Sequence, residues 1–154
     1  MDLSKIFWCV VIGVILLAGW LMTTSGMEKI YQNATKNLVG NDPDQDIIDE
    51  ATLSKYGGLQ QSMFRYENAK LFYTTSIDRY GMDGQNYWAN LHQVARCELK
   101  LENDLEALKI FYDLWLDNAH LEDKRVPSRN VLKSRIQQLI ELNDLQEYNY
   151  PMKE

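Results

Sequence analysis

Residues 102–115 read ENDLEALKIFYDLW, and 38 residues earlier residues 64–77 read FRYENAKLFYTTSI. Aligned on Ala69 and Ala107, the two copies match in both directions. Leu53 falls on Leu91, Tyr56 on Val94, Gly57 on Ala95, Met63 on Leu101, Tyr73 on Phe111 and Ile77 on Trp115. In each copy a small residue precedes the alanine by twelve positions and an aromatic follows it by four. Apolar positions recur at three- and four-residue intervals, the period of a helix with one buried face.

The rest of the chain reads the same way. No stretch sustains the two-residue alternation of a strand. Breaks fall at GMDG (81–84), at Asn103-Asp104 and at EDKRVPS (122–128). Helices are predicted over 43–63, 66–80, 85–101, 104–119 and 127–142. The first has a legible start, with Asp42 as cap, Pro43 in the opening turn and acidic residues at the positive end of the helix dipole. Asp42, Asp44 and Asp46 alternate like calcium-loop ligands, but Ile47 replaces the turn glycine and Leu53 the bidentate glutamate. A third copy begins at Asn143-Asp144-Leu145-Gln146-Glu147 and fades, with Glu147 where the alanine belongs. Leu132, Ile136, Leu139 and Ile140 form an apolar stripe expected to cap the stack.

Over residues 50–120 this pattern resembles the tetratricopeptide repeat. The resemblance implies stacked antiparallel helix hairpins, about two and a half repeats, with Gly57, Ala69, Ala95 and Ala107 at close helix contacts. Tyr73 and Phe111 would fill the gap toward the next hairpin. The chain departs from the family at several positions. Phe64 and Glu102 stand where the glycine between the helices is expected, Gln60 and Glu98 replace an aromatic, and Gly81 and Ala119 replace the closing proline.

The amino terminus has another character. Residues 6–22, IFWCVVIGVILLAGWLM, carry no charge, and Thr23-Thr24 extend the stretch to a bilayer-spanning length. Trp8 and Trp20 stand near its ends. The expected organisation is a transmembrane anchor at 1–26, a stalk at 27–42 continuing the membrane helix, and a helical repeat domain at 43–154 with a C-terminal capping helix. Contact with membrane lipid is expected through residues 6–24. The short tail before the apolar run predicts an extracytoplasmic domain, periplasmic in a Gram-negative bacterium. The alternative is a cleaved signal peptide, with Lys5 as its charged region and Thr24-Ser25-Gly26 as the cleavage site, and a secreted protein.

Net charge is −6, which argues against nonspecific nucleic-acid binding. Two cysteines, Cys9 and Cys97, build no disulfide framework. His92 and His120 have no metal-ligand spacing, and no glycine-rich phosphate loop follows a strand. The expectation is therefore a non-catalytic protein without cofactor, metal or small-molecule substrate. It would bind other protein subunits of a membrane complex as an accessory or scaffold component, or act as a tethered adaptor or chaperone-like peptide binder.

The resemblance places a binding stripe on the first helix of each repeat: Ser54, Gly58 and Ser62, then His92, Arg96 and Lys100. The second set, spaced by four, forms a basic ladder in an acidic protein. In the family such a groove can hold an acidic peptide terminus. A second basic run, KRVPSRNVLKSR (124–135), contains no acidic residue.

Overall fold

A computed structural model describes residues 7–13, 19, 23–143 and 145, and every regular element among them is helical. The chain divides into two compact units, Met1–Leu38 and Val39–Glu154.

In the first unit, residues 7–13 are helical and α1 spans Thr24–Thr35. The Thr23 hydroxyl accepts the Gly26 N–H at 3.2 Å, so α1 has its own capped start. It does not continue a membrane helix as a stalk. No helix among the described residues is long and apolar enough to cross a membrane. The expected transmembrane anchor, and the single-pass extracytoplasmic placement that rested on it, are overturned on this ground. A span needs about 20 consecutive apolar residues in one helix, whereas α1 is 12 residues, TSGMEKIYQNAT, more than half of them polar or charged. Residues 6, 14–18 and 20–22 of the apolar stretch lie outside the described residues, as do Asp144 and 146–154 of the fading third copy and tail.

The second unit holds α2 (Pro43–Ser62), α3 (Tyr66–Tyr80), a 3-10 turn (Gly81–Asp83), α4 (Tyr87–Lys100), α5 (Asp104–Leu116), α6 (Ala119–Glu122) and α7 (Arg129–Leu142). Asp42 caps α2, its carboxylate accepting the Asp44 and Gln45 N–H groups. The helix predicted over 104–119 stops at Leu116, because Asn118 turns left-handed at φ 52° and restarts the chain as α6. From α2 to α5 the helices pack on the next in sequence, α2 on α3, α3 on α4 and α4 on α5, while α5 packs on α7 across the short α6.

Small residues sit at these contacts. Ala69, Ala95 and Ala107 are wholly buried, and Tyr73 and Phe111 nearly so. A Cβ at Gly57 would lie 2.7 Å from Tyr73 Cε1, so the ring occupies the space that a side chain at 57 would need. One apolar cluster joins Ala69, Tyr73, Val94 and Cys97. A larger one joins Ala95, Ala107, Phe111 and Trp115 to the α7 stripe Leu132, Ile136, Leu139 and Ile140. Arg129 at the start of α7 lies 4.3 Å over the Trp115 ring.

The turns α2–α3 and α4–α5 repeat each other bond for bond. Arg65 N–H reaches Gln60 O and Asn103 N–H reaches Glu98 O, both at 3.0 Å. This is a Schellman closure, which requires a left-handed residue just past the helix. Phe64 (φ 60°) and Glu102 (φ 62°) supply it, at the positions where the sequence lacks the expected glycine. The geometry persists without the residue that adopts it freely.

Polar bonds tie the hairpins together. The buried Glu50 carboxylate accepts the Asn86 N–H at 2.7 Å and the Gln85 N–H at 3.1 Å. Arg125 donates to Asn86 Oδ1 and Gln85 O while paired with Asp123 at 2.7 Å. Glu98 takes Lys70 at 3.2 Å and the Asn103 amide at 2.8 Å. Burial works against the Lys70 ammonium, but Glu98 and Glu67 together outweigh it and hold the group above the usual range.

Two outcomes follow from this packing. Gly57→Ala and Ala107→Leu should each overpack a helix contact and cost about 1–3 kcal/mol in urea denaturation; unchanged midpoints would exclude close approach there. Phe64→Gly and Glu102→Gly should instead raise stability by about 0.5–1 kcal/mol, because left-handed strain exceeds the added chain entropy.

Candidate functional site

Gly58, Ser62, Arg96 and Lys100, four of the expected groove residues, line one cavity of about 300 Å³ together with Gln61 and Tyr66. The helices explain the arrangement. Gly58 and Ser62 lie one turn apart on α2 and project little or nothing, so space remains in front of α4. Arg96 and Lys100 lie one turn apart on α4 and reach into that space. The wall is braced from behind, where the Tyr73 hydroxyl donates to Gln61 Oε1 at 3.1 Å. Burial pushes the Tyr73 phenol up to about 12, so it remains a donor throughout the neutral range.

The other two expected residues have different places. Ser54 is half-buried and engaged elsewhere: its hydroxyl donates to Glu50 O and accepts the Asn90 amide at 2.9 Å, and that same amide donates to Ser76. Asn90 and Ser76 are buried, so Asn90 links Ser54 to the interior. His92 faces a second cavity, of about 230 Å³, with Arg96, Phe111, Pro127, Val131, Leu132 and Arg135. Burial, with Arg96 and Arg135 adding repulsion, lowers the imidazole to about 4. It is therefore neutral at pH 7 and not the third cation of the ladder.

Arg135 takes that part. It belongs to the basic run 124–135 and reaches the Phe111 face, 6.0 Å from the ring centroid. The run marked it in the sequence, but the faded third copy gave α7 no dependable frame against α4. Gln61 and Tyr66, which complete the first cavity, carried no sequence signal, since Tyr66 lies at the start of a second helix and not on the expected stripe.

The cations are available. Among the described residues, Arg96, Lys100 and Arg135 form no ion pair, and Arg96 donates only to the neutral Gln93 amide. Glu98, the acid nearest in sequence, is turned to Lys70. The two cavities adjoin at Arg96, which lines both.

Protonation of His92 sets a pH dependence. Its folded value lies below the unfolded one of about 6.5, so between pH 6.5 and 4 the unfolded chain binds the proton first and stability falls with pH. His92→Gln should flatten that window in denaturation midpoints measured at pH 7, 6 and 5. An identical slope in both proteins would mean that His92 charges freely in the fold.

No protein-family model, curated protein sequence or solved structure matches this chain.

Proposed function

We propose that this chain is a non-catalytic, tetratricopeptide-like helical-repeat module that grips a partner protein as an accessory or scaffold subunit of a larger assembly. The observation that carries the reading is the pair Arg96 and Lys100, held without counter-charge at a cavity kept open by Gly58 and Ser62. These two face a space that small residues keep empty, and their mutual repulsion is relieved by an anionic group from elsewhere. Packing of α2 on α3, α3 on α4 and α4 on α5 supports the repeat reading, since repeat folds bury their faces against the next helix in that way.

A catalytic reading has less support. Cys97 is buried, and burial pushes its thiol up to about 11, away from the reactive thiolate. Among the described residues His92 Nδ1 has no hydrogen-bond partner, and no hydroxyl or thiol is hydrogen-bonded to that ring nitrogen.

The test is charge reversal. Arg96→Glu with Lys100→Glu should release the partner in a native purification while helix content and melting temperature stay near those of the unmodified chain. Both residues are exposed, so their exchange leaves the core intact. Full recovery of the partner with the double variant would move the contact to another surface.

A further inference from the structure

The second cavity differs in character from the first. Arg96 and Arg135 reach it from α4 and α7, Val131 stands 52% exposed at its rim, and the half-buried Pro127 lies beside it. Phe111 and Leu132 form the floor. A uniformly acidic segment would set charge against Val131 and Pro127. A uniformly apolar one would strip water from two guanidinium groups and return nothing. A segment carrying both kinds of side chain satisfies both kinds of wall.

The spacing of the cations restricts the conformation of that segment. Arg96 and Lys100 are one turn apart on α4, about 6 Å of helix rise. Side chains two residues apart on an extended chain point the same way and repeat at about 6.6 Å. Acidic side chains at alternate positions therefore meet Lys100 and Arg96 in turn. Because the cavities adjoin at Arg96, the main chain of such a segment continues from one into the other. The charge is also spread along the groove, not gathered at one end as a single terminal carboxylate would require.

We propose that the groove takes an extended, internal acidic–apolar segment of a partner protein. Two Asp or Glu side chains two residues apart seat on Lys100 and Arg96. The one at Arg96 is shared with Arg135, and an adjoining apolar side chain lies against Val131 and Pro127. This rests on the partner-binding reading above and specifies its register. A carboxylate at that point also offsets the two guanidinium charges that face His92 from α4 and α7, while α5 presents only the uncharged Phe111 ring there.

The experiment is a selection of random dodecapeptides, displayed with their C-termini fused, on the full chain. The selected peptides should be enriched in an acid-x-acid pattern next to Leu, Ile, Val or Phe. Synthesised with both ends blocked, they should bind in calorimetry and lose about tenfold in affinity with Arg135→Glu and with Val131→Glu. Arg135→Gln, which adds no repulsion, should show an intermediate loss. The His92 titration followed by NMR should move upward in the complex. Selected peptides without acidic enrichment, or no selected peptide at all, would overturn the proposal, as would binding that needs a free C-terminal carboxylate. Binding that ignores Arg135 and Val131 but is lost with Lys100→Glu would overturn this register alone and leave the partner-binding reading standing.

Discussion

The fold turns on the absence of a side chain at Gly57. With the Tyr73 ring 2.7 Å from where a Cβ would stand, α2 and α3 approach more closely than any larger residue would allow. That approach fixes the height of α3 against α2, because the ring fits only opposite the glycine. It also sets the functional wall, since the same Tyr73 holds Gln61 by its hydroxyl. The buried Ala69, Ala95 and Ala107 extend the constraint along the stack. The Tyr73 hydroxyl end lies beside Gly58 as well, 3.6 Å from where a Cβ would stand, so the packing contact and the cavity lined by Gly58, Gln61 and Ser62 are neighbours on α2.

Interior polar groups supply what apolar contacts do not, namely direction. Leu108 or Leu114 packs acceptably in several registers, whereas the Glu98 carboxylate meets both Lys70 and Asn103 in only one. The same holds for Asn90 between Ser54 and Ser76, and for Glu50 against two backbone N–H groups of the next hairpin. Buried ion pairs add little net stability after desolvation, so their contribution here is to the choice of arrangement. Gln60, at the repeat position of Glu98, shows what an unpaired counterpart looks like: its side chain is fully buried and, among the described residues, neither amide atom has a hydrogen bond.

These internal pairings decide what the groove presents. Glu98 lies two residues from both Arg96 and Lys100 on the same helix, so it faces the interior, where it pairs with Lys70, while the two cations face open space. His92 goes the other way, sunk beside two guanidinium groups and so kept neutral. The positive surface is therefore Lys100, Arg96 and Arg135, drawn from two helices that a loop and two further helices separate in the chain.

Helix positions, the Asp42 cap and the small-residue contacts were legible in the sequence, because they depend on spacing within a few residues. The apolar run at 6–22 was legible too, but composition alone could not say whether it lies in one continuous spanning helix, and no described helix does. Likewise the left-handed turns at Phe64 and Glu102 follow from hairpin closure, which overrides the preference of either residue. Which cations share a cavity, which serine is engaged elsewhere and which histidine is neutral depend on side chains meeting across helices. Those meetings are set by the height and rotation of each helix against the next, and only the packed tertiary structure fixes them.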